Sequence, residues 1–158
     1  MPKAVSATLI RVPPIAIFCV VFAIGFVIDA LAFGSPHIAM PSDAGFWIGL
    51  VLLIPAGYFG AGAFGMFLVR RMALMPGAVI TSLVADGPFA FSRNPMYLGL
   101  SLLHAGLCLV LGLPLTFVLL VIPLLIMQLV VIPFEENSMA ATFGADYADY
   151  RRRVRRWL

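Results

Sequence analysis

Long apolar stretches dominate the hydropathy pattern, and they alternate with short polar or turn-forming segments. The first two cover about residues 13–33 and 45–69. The next two, 97–113 and 114–134, are joined with almost no loop at Gly112-Leu113-Pro114. About 20 apolar residues cross a hydrocarbon core of roughly 30 Å as a helix. The pattern therefore predicts an all-α, polytopic integral membrane protein with about four transmembrane helices and a tight hairpin between the third and fourth.

The segment after the fourth stretch has a different periodicity. In the segment from about Ser138 to Leu158, apolar and aromatic residues recur at near-helical spacing, and the five arginines lie mostly at other positions. The recurring residues are Tyr147, Tyr150, Val154, Trp157 and Leu158. Such a pattern is typical of an amphipathic helix lying in the membrane interface. Among its arginines, only Arg151, next to Tyr150, is predicted to reach inward.

We expect a single membrane domain over residues 1–158. Its parts are two N-terminal spans (1–69), a connecting segment (70–96), the hairpin (97–134) and a C-terminal cap (135–158). The first span is longer than the apolar core of a signal peptide and lacks a convincing cleavage site, so we expect it to be retained. In the second span, Gly57, Ala61 and Gly65 recur every four residues and predict a helix-packing stripe.

Basic residues fall on one side of this arrangement. Lys3 and Arg11 precede the first span, Arg70 and Arg71 follow the second, and Arg93 precedes the third. Five further arginines lie in the last eight positions. The positive-inside rule then predicts that both termini and the connecting segment are cytoplasmic.

Composition excludes a water-soluble domain and several kinds of site. Hydrophobic residues make up 63% of the chain and charged residues 11%, whereas soluble domains average roughly 45–50% and about 25%. The net charge of +3, concentrated at the C-terminus, fits an anionic membrane surface and not a nucleic acid. Cys19 and Cys108 lie in separate apolar stretches and form no CxxC motif or Cys/His cluster, so neither a zinc site nor a disulfide framework is predicted.

Two polar clusters border the hairpin. The first runs from Asp86 to Gly99 and includes Arg93, and the second begins with Glu135-Glu136. Because the hairpin is tight, the two clusters are expected to meet. Arg93 is the predicted partner of the carboxylates, since unpaired charges at a membrane boundary are costly. The pairing is either a structural ion pair or one side of a ligand pocket, in which Gly99 leaves room for a bulky group beside the backbone.

The order of these residues resembles the isoprenylcysteine carboxyl methyltransferase and phospholipid methyltransferase superfamily. The matching elements lie within about residues 87–158, and the first two spans carry no recognised motif. Where the superfamily usually has His, this chain has Asn94, as in bacterial members, which implies a bacterial inner membrane. The motifs that carry the resemblance are Gly87-Pro88-Phe89, Ser92-Arg93-Asn94-Pro95-Met96-Tyr97-Leu98-Gly99, Glu135-Glu136 and Phe143-Gly144-Ala145-Asp146-Tyr147.

The resemblance implies an S-adenosylmethionine-dependent methyltransferase with a cytoplasmic active site. Its acceptor would be lipophilic and enter from the bilayer, whether an isoprenylcysteine-like carboxylate, a phospholipid amine or another small lipid. Glu135, Glu136 and Arg93 are the implied catalytic residues. The residues implied to bind the cofactor are Arg93, Asn94, Tyr97, Leu98, Gly99, Glu135, Glu136, Tyr147, Tyr150 and Arg151.

Other functions stay open at this point. An NADPH-dependent membrane reductase of the sterol reductase type has a similar hairpin, but typically carries an acidic residue where this chain has Leu100. A small four-helix transporter would need a polar or charged residue deep in a span. Asp29 lies near a helix end, and His104 and Gln128 are expected to hydrogen-bond to each other or to the backbone, or else to line the acceptor tunnel. A member that binds the cofactor without turnover is also possible.

Overall fold

The computed structural model describes residues 12–34, 43–69 and 83–158, and their regular structure is helical. The main helices are α1 (Pro14–Phe33), α2 (Ala44–Val69), α3 (Pro95–Val110) and α4 (Pro114–Arg153). Helices α1, α2 and α4 are long and apolar enough to cross a membrane, and α3 is a shorter apolar helix of about 24 Å at 1.5 Å per residue. The predicted all-α architecture with about four transmembrane helices is confirmed, and the chain is an integral membrane protein.

Some predicted features lie outside the described residues. They are the N-terminal basic positions Lys3 and Arg11, the pair Arg70 and Arg71, most of the first connection, and residues 70–82 of the connecting segment. The cytoplasmic orientation depends in part on these residues and stays a prediction, as does the division of the chain into parts.

Asp29 joins the end of α1 to the beginning of α4. Its carboxylate is 2% exposed and accepts hydrogen bonds from the Leu115 N–H at 3.1 Å, the Thr116 N–H at 2.8 Å and the Thr116 hydroxyl at 2.5 Å. The first N–H groups of a helix have no partner within that helix, so Asp29 caps α4 from the neighbouring helix. The carboxylate is thus occupied by helix packing, which argues against its use as the ion-carrying group of a transporter.

The α3–α4 hairpin has the predicted tight turn, with Gly112 at φ 61° between the two helices. Inside the hairpin, His104 Nε2 lies 3.1 Å from the Thr116 carbonyl oxygen. The expected bond from His104 to the backbone is therefore present. Gln128 instead accepts a hydrogen bond from Trp157, at 2.9 Å.

Small residues do bring α2 and α3 together, but the predicted stripe is wrong. No atom of the described residues lies within 4 Å of a Cβ added at Gly57 or Gly65, and Ala61 is exposed. The contact lies instead at Gly99, where an added Cβ would be 2.3 Å from the Gly60 nitrogen. A π-helical turn in the middle of α2 interrupts the regular spacing on which the prediction relied.

Helix α4 does not stop at the membrane boundary. It continues to Arg153 through a break at Gly144 (φ 51°, ψ −115°), and Val154 is extended. The predicted separate amphipathic helix from Ser138 to Leu158 therefore has wrong boundaries at both ends. We refer to residues 154–158, which leave the helix, as the C-terminal strap.

Candidate active site

The two polar clusters meet at the end of the hairpin where α3 begins, as predicted. Arg93 Nη2 lies 2.9 Å from Glu136 Oε1. One turn further along, the Tyr97 hydroxyl donates a hydrogen bond to Glu135 Oε1 at 2.6 Å. Both adjacent carboxylates of α4 are therefore bound by residues in or just before α3, and the predicted pairing with Arg93 is confirmed for Glu136.

A small closed cavity lies between these groups. Its volume is about 50 Å³, whereas pockets for small molecules usually measure roughly 300–1,000 Å³. A cofactor could enter only if a wall of the cavity moved outward. The described residues that line it are Phe67, Leu83, Val84, Phe89, Arg93, Asn94, Glu135, Glu136, Met139, Tyr147 and Tyr150.

Arg93 lines this cavity and has unused hydrogen-bonding capacity. Its Nε and Nη1 atoms are buried and have no hydrogen-bond partner among the described residues, although Nη2 contacts Glu136. Leaving a buried donor without a partner costs about 1–3 kcal/mol. A carboxylate oxygen of a bound ligand would satisfy one of these two donors, which lie on different edges of the planar guanidinium group.

Tyr147 and Tyr150 cover the cavity from the last turns of α4. The Tyr150 hydroxyl donates to the Phe89 carbonyl oxygen at 2.7 Å, and the ring centroids of the two tyrosines are 6.2 Å apart. This bond ties α4 to the 3₁₀ helix Gly87–Ala90, which precedes α3. The two predicted aromatic residues therefore lie beside Arg93 and Glu136.

The C-terminal strap is hydrogen-bonded to residues that line the cavity. The Arg156 carbonyl oxygen accepts hydrogen bonds from Ser92 Oγ at 3.2 Å and from Asn94 Nδ2 at 2.9 Å. The Arg156 side chain donates to Glu136 from Nη2 at 2.6 Å and from Nε at 3.2 Å. The hydrogen bond to Glu136 raises the pKa of Arg156. Through these bonds the strap joins the Ser-Arg-Asn motif to α4.

The tail arginine that reaches Glu136 is Arg156, whereas the sequence pattern predicts Arg151 as the inward-reaching one. Arg151 is exposed and lies on the outer side of Tyr147, whereas Arg156 reaches Glu136. The difference arises because α4 ends at Arg153 and the chain then turns back. Neither Gly nor Pro marks this helix end, so no local sequence signal identified Arg156.

Three predicted site residues at the start of α3 do not line the described cavity. Tyr97 does not reach the cavity but is hydrogen-bonded to Glu135, which lines it. Leu98 is buried. The space expected beside Gly99 is filled by the backbone of Gly60. Contacts of these three residues with a cofactor stay predictions, as does the contact predicted for Arg151.

The comparison with known families agrees with this arrangement. The phospholipid methyltransferase family model matches residues 43–146, well over half of the chain. The chain belongs to the phospholipid methyltransferase family, and with it to the membrane methyltransferases. No match to a curated protein or to a solved structure accompanies this result. The match includes α2, in which sequence analysis recognised no motif, and ends before Tyr147 and the C-terminal strap.

Replacing Asn94 with alanine should loosen the C-terminal strap. The substitution removes the bond to the Arg156 carbonyl, and a buried hydrogen bond contributes about 1 kcal/mol. We expect trypsin to cleave after Arg155 or Arg156 several-fold faster than in the wild type, as measured by mass spectrometry of the intact chain. Asn137→Ala is the matched control, because Asn137 is an exposed asparagine of α4. Equal cleavage rates in the two variants would show that Asn94 does not fix the strap.

Proposed function

We propose that the protein is an S-adenosylmethionine-dependent methyltransferase that methylates a lipophilic acceptor, with a phospholipid amine as the preferred class. The supporting observation is Arg93, whose Nε and Nη1 atoms are buried without partners beside two carboxylates and two tyrosines. Family membership supports methyl transfer in a membrane. The described basic residues, Arg93 and the C-terminal arginines, belong to one end of the bundle and support a cytoplasmic active site and C-terminus, with the N-terminus on the same side, in a bacterial inner membrane.

The side chains around the cavity match the chemical groups of S-adenosylmethionine. Arg93 suits the carboxylate of its amino-acid end. Glu135 and Glu136 suit the ammonium group or the ribose hydroxyls, and the faces of Tyr147 and Tyr150 suit adenine or the sulfonium cation. Every part of the cofactor thus has a chemically suitable partner, although the closed cavity must widen to admit it.

The protein's own contribution is mainly alignment and the exclusion of water. When bound, the cofactor supplies an electrophilic methyl group on a sulfonium centre. Arg93 fixes one end of the site, while Val84, Phe89 and Met139 exclude water from it. Correct alignment of two reactants can contribute roughly 7–11 kcal/mol to lowering a barrier. This reaction needs no covalent intermediate with the protein.

An amine acceptor must lose a proton before it can attack, and Glu135 is the residue placed to take it. Both oxygens of Glu136 are bound by arginines. In Glu135, Oε1 is bound by Tyr97, while Oε2 has no hydrogen-bond partner among the described residues. Glu135 Oε2 would therefore accept the proton as a general base, and Glu136 would position the two arginines.

Thermal unfolding of the detergent-purified protein tests this proposal directly. S-adenosylmethionine, S-adenosylhomocysteine and NADPH would each be added at about 100 times the dissociation constant, where a bound ligand stabilises by roughly 2.7 kcal/mol. We expect stabilisation by the two adenosyl compounds and not by NADPH. Stabilisation by NADPH alone would support a reductase instead, and no response to any of the three would contradict the proposal.

A further inference from the structure

A second space, open to the surroundings, lies on the other side of Tyr147. The helix break at Gly144 leaves a cleft of about 370 Å³, much larger than the closed cavity of about 50 Å³. Tyr147 lines both spaces, so its side chain is part of the wall between them. The described residues lining the cleft are Ala140, Gly144, Tyr147, Ala148, Arg151 and Arg152.

Arg151 supplies the available positive charge of this cleft. Arg152 is paired with Asp149, but Arg151 is exposed and has no hydrogen-bond or ion-pair partner among the described residues. No acidic side chain is found among the described lining residues. The Tyr147 hydroxyl is close enough to Arg151 to interact with its charge. A guanidinium group and a hydroxyl together offer several donors to an oxyanion such as phosphate.

The position of the cleft along α4 suits a lipid headgroup. The apolar part of α4 ends at Phe134, and Tyr147 returns to within electrostatic range of Arg93 and Glu136, close to that boundary. The headgroup layer adds roughly 5–8 Å on each side of the hydrocarbon core. Arginines at this level attract the anionic groups of phospholipids.

We propose that Arg151 and Tyr147 bind the phosphate group of a phospholipid in this cleft. The inference rests on the proposed function in one respect, namely that the bound lipid is the methyl acceptor, with its amine extending past Tyr147 towards Glu135. Arg151 then recognises the acceptor and not the cofactor. The closed cavity and the open cleft would thus receive the two substrates from opposite sides of one tyrosine.

Phosphorus-31 NMR of dihexanoylphosphatidylethanolamine, titrated with the detergent-purified protein, tests this site by line broadening. We expect Arg151→Gln to weaken binding about tenfold, which corresponds to roughly 1.4 kcal/mol. Arg153→Gln is the matched control, because Arg153 is also exposed on the same helix turn but does not line the cleft. It should bind the lipid like the wild type, and inorganic phosphate should bind much more weakly than the lipid.

Binding of S-adenosylhomocysteine to the same variants separates this inference from the proposed function. We expect Arg151→Gln to keep its affinity for S-adenosylhomocysteine. Loss of that affinity would assign Arg151 to the cofactor site and overturn the inference, as would equal lipid binding by the Arg151 and Arg153 variants or equal affinity for inorganic phosphate. If S-adenosylhomocysteine binds to no variant while the phosphate site behaves as expected, the proposed function fails and the lipid site stands.

Discussion

Arg93→Gln is expected to lower the affinity for S-adenosylhomocysteine at least about 100-fold, which corresponds to roughly 2.7 kcal/mol. Arg93 lines the cavity, and the variant removes its two buried donors, Nε and Nη1, which have no partner among the described residues. Hydrogen bonds to charged groups contribute about 1.5–3 kcal/mol each. Isothermal titration calorimetry in detergent would measure the loss, with the exposed Arg153→Gln as a control of unchanged affinity.

The stability of the same variant decides between a ligand-binding arginine and a structural ion pair. Breaking a buried ion pair by removing one partner typically costs 3–5 kcal/mol. In Arg93→Gln, Glu136 keeps its second partner, Arg156, and two unsatisfied donors disappear. Losing the ion pair destabilises the fold, whereas removing two unsatisfied buried donors stabilises it. We therefore expect the free energy of unfolding of the unliganded variant to fall by no more than about 1 kcal/mol. A loss of 3 kcal/mol or more with unchanged ligand affinity would make Arg93 a structural residue.

The membrane-spanning helices and the meeting of the polar clusters could be predicted because each depends on one strong local constraint. A long apolar stretch must form a helix in lipid, where backbone groups find no water. A turn as short as Gly112-Leu113-Pro114 forces the outer ends of its two helices together. These constraints predict that Arg93 lies beside Glu135 and Glu136, and the structure confirms the pair with Glu136.

The remaining features depend on tertiary contacts that have no local signature. Arg156 reaches Glu136 because the strap turns back after Arg153, and its backbone carbonyl is bound by Ser92 and Asn94. A hydropathy pattern indicates which residues avoid water. It does not indicate that the Asn94 side chain will bind the Arg156 carbonyl, 62 positions away. The tail is helical up to Arg153, as its spacing predicts. Beyond Arg153 the predicted helix is absent, and long-range hydrogen bonds hold the chain in another conformation.

Gly99→Ala is expected to be among the most destabilising single-methyl changes in the described helices. The added Cβ would lie 2.3 Å from the Gly60 nitrogen and 2.4 Å from its Cα, and both are backbone atoms that cannot rotate away. Helices α2 and α3 would have to separate, and overpacking of this kind costs about 1–3 kcal/mol or more. Equilibrium unfolding in a denaturing detergent would measure the loss of free energy.

Gly57→Ala provides the matched control, because it adds the same methyl group to a helical glycine of α2 that has nothing within 4 Å of the new atom. Alanine favours a helix over glycine by roughly 1 kcal/mol, so this variant should be as stable as the wild type or slightly more stable. The reverse order, with Gly57→Ala the more damaging, would restore the packing stripe expected from the four-residue spacing. If the free energy of unfolding falls in Gly99→Ala and rises in Gly57→Ala, close approach to a neighbouring helix decides which glycine the fold requires. The periodicity of small residues then does not decide it.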